Sequence, residues 1–118
     1  MLIVEDDDLV RETMKEVIED AGLPVDIASN GQEAIHRVRA TRPCLILLDL
    51  MMPVMNGWDF LAWLRKQPEP LASTPVTVVS AAERDRIQPV SAAYQGVGHL
   101  EKPIQLDDLL AVVAPYRS

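Results

Sequence analysis

In the stretch CLILLDLMMPVMNG, residues 44–57, a run of apolar residues ends directly at an acid. Its four consecutive apolar residues, 45–48, predict a strand buried on both faces, which is typical of a parallel sheet. An acid, Asp49, follows this strand directly. A carboxylate beside a hydrophobic core is costly unless other groups compensate its charge. The sequence therefore predicts that polar groups from other parts of the chain meet Asp49.

Four further strand–helix pairs surround this stretch. Short apolar runs predict the other strands at residues 2–4, 25–28, 76–79 and within 98–103. Helical periodicity and capping residues predict helices over 8–21, 29–40, 57–64 and 106–113, and one within 83–95 with Pro89 in its first turn. The second strand alternates apolar and polar residues, as an edge strand can. Alternating strands and helices predict an α/β fold, a parallel sheet with helices on both faces.

Length and charge limit the classes of protein that the chain can represent. Its 118 residues predict a single domain over 1–118, and the formal charge of −7 argues against a direct nucleic-acid partner. No apolar run approaches the roughly 18 residues of a membrane span, and the N-terminus does not resemble a signal peptide. The single cysteine, Cys44, suits a reducing compartment and is interpreted as a small core residue. These features predict a cytoplasmic protein without a membrane partner.

Chemically useful side chains follow four of the five predicted strands, and the carboxyl ends of parallel strands form ligand sites. In chain order these residues are Glu5, Asp6 and Asp7, then Asp49, then Ser80, and finally Lys102. Carboxylates held close together repel one another, so they require protons or a cation. Oxygen ligands without histidine or thiolate favour Mg²⁺ or Mn²⁺, and Mg²⁺ commonly binds phosphate oxygens as well.

A phosphoryl group completes this arrangement. Asp49 could attack it and become an aspartyl phosphate, while Lys102 pairs with one phosphoryl oxygen and Ser80 donates a hydrogen bond to another. Each residue alone has an ordinary interpretation, since strand-end acids often cap helices and we expect Asp7 or Asp8 to do so. The four strand ends taken together favour the functional interpretation.

Four motifs resemble the receiver domain of two-component response regulators, including the chemotaxis receivers. They are LIVEDD, LLDLMMPVMNG, VVSA and LEKP, in that order and over almost the whole chain. The resemblance implies a flavodoxin-like (βα)5 fold, doubly wound, with strand order 2-1-3-4-5. It also implies that the protein is a signalling switch that assists its own phosphorylation and dephosphorylation, and not an enzyme with a separate substrate.

The resemblance assigns a role to each residue of the predicted site. Asp49 would be the phospho-acceptor. Asp6 would bind Mg²⁺ directly, Glu5 mainly through water, and the backbone carbonyl of Met51 would be another ligand. Lys102 would be the lysine that precedes a proline in this family.

Ser80 matches the family's switch hydroxyl. The aromatic residue that usually moves with this hydroxyl is replaced here by His99, three positions before the lysine. His99 could still act as a switch and would then be sensitive to pH. The alternative, which we favour, is a half-exposed histidine at the end of a strand.

The resemblance also implies partners. A sensor histidine kinase or a histidine phosphotransfer protein would donate the phosphoryl group. A downstream protein would bind the face formed by the fourth helix, fifth strand and fifth helix, or the phosphoryl group would be relayed. A stand-alone receiver and a fragment of a hybrid kinase or larger regulator both fit the sequence. The sequence also does not identify the cognate kinase or the signal, and it leaves homodimerisation open.

Three other functions fit the sequence less well. A phosphohydrolase of the haloacid dehalogenase type needs a second acid where Met51 stands. A binding module that is never phosphorylated would not need the acids together with Ser80 and Lys102. A flavin-binding protein of similar fold needs a phosphate-binding loop after the first strand, where acids would repel the flavin phosphate.

Overall fold

The computed structural model describes residues 1–50, 57–80 and 97–116. The strands in these ranges are β1 (Leu2–Val4), β2 (Asp26–Ala28), β3 (Ile46–Asp49), β4 (Val76–Ser80) and β5 (Gly98–Glu101). The helices are α1 (Asp8–Asp20), α2 (Gly31–Thr41), α3 (Gly57–Arg65) and a C-terminal helix (Leu106–Val113). Short 3-10 turns occupy Leu71–Ser73 and Ala114–Tyr116. The helix predicted within 83–95 lies outside the described residues.

The five strands form one parallel sheet in the order β2-β1-β3-β4-β5. This confirms the predicted flavodoxin-like order and the position of β2 at an edge. Val4 of β1 is paired with Leu48 of β3, which is paired in turn with Val78 of β4. Because β1 and β3 are neighbours in this register, the residues that follow Val4 and Leu48 come to lie side by side.

Each face of the sheet has its own hydrophobic core, which confirms the doubly wound arrangement. One core joins the sheet to α2 and α3 through buried residues that include Val38, Leu48 and Phe60. The other joins it to α1 and the C-terminal helix through buried residues that include Ile18 and Leu47. The strands at the centre of the sheet are thereby held on both sides.

Side-chain hydrogen bonds cap the N-termini of α1 and α2, close to where the sequence predicts that these helices begin. The Asp7 side chain accepts from the backbone N–H of Val10 at 3.1 Å and so caps α1. The Asn30 side chain accepts in the same way from the N–H of Glu33 at 2.9 Å and caps α2. Such a cap stabilises a helix by about 1 kcal/mol. After α1 the chain turns at Gly22, whose φ of 93° is favourable for glycine.

The interpretation of Cys44 as a core residue is wrong. Its side chain is exposed, and the buried run begins one residue later at Leu45. Cys44 precedes β3, so it lies at the surface end of the connection from α2.

Gly57, the first residue of α3, lies against the backbone at the end of β3. Its N–H donates to the carbonyl of Leu50 at 3.1 Å. A Cβ atom at this position would lie 2.4 Å from the Asp49 carbonyl oxygen and 2.7 Å from the Leu50 Cα. Both neighbours are backbone atoms, so only glycine allows α3 to begin this close to Asp49.

We expect Gly57→Ala to destabilise the protein by about 1–3 kcal/mol, because the added methyl group forces α3 away from the sheet. Helix propensity alone predicts the opposite sign, since alanine is favoured over glycine by about 1 kcal/mol inside a helix. Urea unfolding measures the difference. Ala40→Gly, at an exposed position of α2, calibrates the propensity effect. A Gly57→Ala variant as stable as the parent would contradict this prediction, because it would show that the methyl group can be accommodated beside the Asp49 backbone.

Candidate functional site

The carboxyl edge of the sheet gathers three carboxylates. Asp49 ends β3, and Glu5 and Asp6 follow the neighbouring strand β1. One oxygen atom from each of the three lies within 4.8 Å of the others. The side chains of Glu5 and Asp49 are only 2% and 3% exposed, whereas Asp6 is exposed. Buried acids at this separation repel each other strongly, so this acidic pocket (Glu5, Asp6 and Asp49) could hold a metal ion.

Lys102 supplies positive charge to the acidic pocket. It follows β5, and its Nζ atom lies 3.2 Å from Glu5 Oε1 and 3.7 Å from Asp49 Oδ2. The nearer partner is therefore Glu5, a contact that the sequence did not predict. The peptide bond between Lys102 and Pro103 is cis.

The two carboxylate oxygens of Glu5 differ in their hydrogen bonding. Its Oε1 atom accepts from Lys102 and from the backbone N–H of Asp7, the latter at 3.3 Å. Its Oε2 atom is buried and has no hydrogen-bond partner within the described parts of the chain. A buried, unsatisfied carboxylate oxygen is unfavourable by itself, and it suits an acceptor for a cation or for a water molecule bound to the cation.

Ser80 and Met51 are the two remaining residues of the predicted phosphorylation and metal site. Ser80 is the last residue of β4 and is paired with Glu101 of β5, which directly precedes Lys102. Met51, whose carbonyl was predicted as a metal ligand, lies outside the described residues.

His99 lies on β5 and is paired with Val78. His99 is partly buried, as the favoured alternative predicted, but it is the second of the four residues of β5 and does not lie at the end of the strand. Its Nε2 atom is buried and lacks a hydrogen-bond partner among residues 1–50, 57–80 and 97–116. Whether His99 acts as a switch stays a prediction.

Sequence reasoning missed Arg11. This residue lies on the buried side of α1, and its guanidinium donates from Nη1 to the Glu5 backbone carbonyl at 3.0 Å. The pattern held a signal, because Arg11 shares one helical stripe with Met14 and Ile18, three and seven residues further along. A cation on an apolar stripe indicates a specific polar partner.

An apolar groove of about 330 Å³ borders the site between α1 and the C-terminal helix. Lys102 and Pro103 form its end nearest the acidic pocket. Two leucines on its walls are unusually accessible, Leu9 at 77% and Leu106 at 56%. The groove is lined by Leu9, Val10, Thr13, Met14, Val17, Lys102, Pro103, Ile104, Leu106 and Leu109.

Residues 1–114 match the family described as the response regulator receiver domain. The chain belongs to this family. Two curated relatives are response regulator Rre1 from Synechocystis sp., 35% identical over 116 residues, and the alkaline phosphatase synthesis transcriptional regulatory protein SphR from Synechococcus elongatus, 30% identical over 120 residues. The alignments cover 96% and 94% of this chain but only 49% and 46% of the relatives. The receiver domain thus spans about half the length of these proteins.

Solved structures have the same fold. The chemotaxis protein CheY4 of Vibrio cholerae superimposes with a TM-score of 0.86 at 27% identity, covering 97% of this chain and 94% of that one. The signal receiver domain of a signal transduction histidine kinase from Syntrophus aciditrophicus gives 0.85 at 32% identity, covering 97% and 86%. Across the described ranges of this receiver domain, none of the helices has the length and apolar character needed to cross a membrane.

We expect Lys102→Met to destabilise the receiver domain in the absence of divalent ions, because Glu5 and Asp49 then repel each other without compensation. The expected loss is about 1–3 kcal/mol, less than for a fully buried pair because the Lys102 side chain is 24% exposed. Saturating Mg²⁺ should reduce this loss by more than half. Unfolding in urea with EDTA or Mg²⁺ measures both quantities.

The control for this experiment is Lys66→Met, which removes an exposed lysine and should change stability by about 0.5 kcal/mol or less in both conditions. A loss in Lys102→Met that is equal with EDTA and with Mg²⁺ would contradict the electrostatic interpretation.

Proposed function

We propose that this receiver domain is a phosphorylation-dependent switch in which Asp49 accepts a phosphoryl group. The observation that carries the proposal is the placement of Glu5, Asp6 and Asp49 within 4.8 Å of one another, with the Lys102 amine beside two of them. Membership of the receiver family supports the same conclusion. Phosphoryl transfer depends mainly on positioning and charge neutralisation, and both are available here.

The acidic pocket fits a divalent cation, Mg²⁺ or Mn²⁺. All three side chains offer oxygen, and Glu5 Oε2 is a buried acceptor without a partner in the described segments. We propose Asp6, Asp49 and the Met51 backbone carbonyl as direct ligands, with Glu5 acting mainly through water. When bound, the ion neutralises the carboxylates and the phosphoryl oxygens.

In the proposed reaction an Asp49 carboxylate oxygen attacks the phosphorus atom of a phosphohistidine. A new oxygen–phosphorus bond forms, and the bond between phosphorus and the imidazole nitrogen breaks with its electron pair leaving on the nitrogen. Lys102 holds one phosphoryl oxygen and exchanges part of its interaction with Glu5 for it. Ser80 donates a hydrogen bond to another oxygen and is the proposed switch hydroxyl.

The response to phosphorylation would be a shift between two arrangements of the surface near β5 and the C-terminal helix. We propose that a downstream protein reads this surface together with the helix predicted within 83–95. His99 lies on this strand and is a candidate second switch residue. The net charge of −7 favours a protein over nucleic acid as the direct partner of this chain.

We further propose that the phosphodonor, a histidine kinase or histidine phosphotransfer protein, binds the apolar groove beside Lys102. Lys102 lines the groove and also lies beside Glu5 and Asp49, so a helix bound in the groove would bring its histidine towards Asp49. Exposed acids on both bordering helices favour basic residues around the apolar ridge of the donor. These acids are Asp8, Glu12, Glu16, Asp107 and Asp108.

Incubation with phosphoramidate and Mg²⁺ should add one phosphoryl group, detected by intact mass, and Asp49→Asn should abolish the adduct. Beryllofluoride should bind the parent and not the variant. Asp59→Asn, an acid on α3, is the control and should keep the adduct. If the parent takes neither phosphoryl group nor beryllofluoride, the chain functions as an unphosphorylated binding module, and the proposal is wrong.

Replacing both exposed leucines, Leu9→Ser with Leu106→Ser, should slow transfer from a protein donor and leave transfer from phosphoramidate unchanged. The donor is the purified histidine kinase, chosen from a panel, that phosphorylates the parent fastest. We expect a loss of at least about tenfold in kcat/KM, because burying each leucine side chain would contribute about 1.5–3 kcal/mol to binding. Ala111→Ser, exposed on the same C-terminal helix, is the control. Equal loss with both donors would exclude a docking role for the groove.

A further inference from the structure

Arg11 is a buried cation whose ion-pair partner is exposed. Its guanidinium forms an ion pair with Asp8 at 2.5 Å, but the Asp8 side chain is 88% exposed. Ion pairs in which one partner is exposed to solvent contribute little to stability. The Arg11 Nε atom is also buried and has no hydrogen-bond partner in the described ranges. Folding energy alone would favour an apolar side chain here, next to Met14 and Ile18.

The buried contact of Arg11 is with the backbone of the acidic pocket. Nη1 donates to the Glu5 carbonyl oxygen at 3.0 Å, and this hydrogen bond is buried. A hydrogen bond from a charged donor is about twice as strong as a neutral one. The guanidinium therefore links α1 to the peptide group that joins Glu5 to Asp6.

Glu5 is consequently held from several directions. Its N–H donates to the Ala28 carbonyl at 3.0 Å, its carbonyl accepts from Arg11, and its side chain accepts from Asp7 N–H and Lys102. Asp6 lies between this fixed residue and Asp7, the cap of α1. The segment that carries two of the three carboxylates is thus attached at both ends.

We propose that Arg11 is a positioning residue for the acidic pocket: its guanidinium holds the Glu5–Asp6 backbone so that the carboxylates are already in place when a divalent cation binds. This inference rests on the proposed function, because it presupposes that the pocket binds a cation. Residues that orient metal ligands without touching the metal typically affect affinity by about 10- to 100-fold.

Two effects of Arg11 on cation binding have opposite signs, which makes the proposal testable. As a nearby positive charge, Arg11 opposes a second cation, so its removal would tighten Mg²⁺ binding. As a positioning residue it preorganises the ligands, so its removal weakens Mg²⁺ binding. The sign of the change in the dissociation constant separates the two effects.

The experiment measures Mg²⁺ binding by calorimetry in the parent, Arg11→Met and Arg11→Lys, at a temperature where circular dichroism shows each to be folded. We expect Arg11→Met to raise the dissociation constant at least about tenfold. Arg11→Lys keeps the positive charge but lacks the planar guanidinium that contacts Glu5 and Asp8 at the same time. This variant should therefore also bind Mg²⁺ more weakly than the parent.

Ile18→Val is the matched control, because it removes buried volume from the same stripe of α1 and leaves the contact with Glu5 intact. It should lower stability and keep the parent's affinity for Mg²⁺. Tighter or unchanged binding in Arg11→Met would overturn the inference, as would equal weakening in Ile18→Val. If the parent itself binds no Mg²⁺, the proposed function fails and the inference falls with it.

Discussion

Three carboxylates at one edge of the sheet repel one another, and the packing of the domain has to overcome that repulsion. Glu5 and Asp49 are almost fully buried, where two negative charges interact far more strongly than in water. Lys102 offsets part of this repulsion from one side, and Arg11 binds the backbone from the other. The repulsion within the acidic pocket therefore destabilises the folded state, and a bound cation would reduce it by neutralising the carboxylates.

The parallel sheet holds the three carboxylates close together despite their repulsion, because it fixes the positions of the strands that carry them. β1 and β3 are adjacent, in register and covered by hydrophobic cores on both faces, so the acids cannot separate without breaking that packing. Gly57 adds a further restraint, since the start of α3 lies directly on the Asp49 backbone. Packing energy distributed over the whole domain thus holds a small region that is locally unfavourable.

The patterns that depend on neighbouring residues were predictable from the sequence. Buried runs gave the strands, helical spacing gave the described helices, and Asp7 and Asn30 capped helices as their side chains allow. Cys44 was misassigned because a residue at the margin of an apolar run has no periodicity to place it. The contact of Lys102 with Glu5 joins residues 97 positions apart, and only the three-dimensional register determines which acid is nearer. The place of Arg11 on the apolar stripe of α1 signals a polar partner but does not identify it, because that partner is a backbone carbonyl.

Lys102 differs from the acids in one respect, since it follows an outer strand of the sheet. Among the described strands, β5 is hydrogen-bonded to β4 alone, whereas β1 and β3 each have neighbours on both sides. Outer strands open locally at a lower free energy than inner ones. Opening of β5 would carry the amine away while the three acids stay assembled. Local opening of β5 therefore makes the net charge of the acidic pocket more negative. A ligand that stabilises β5 against opening would keep Lys102 beside the acids and so weaken their attraction for a cation.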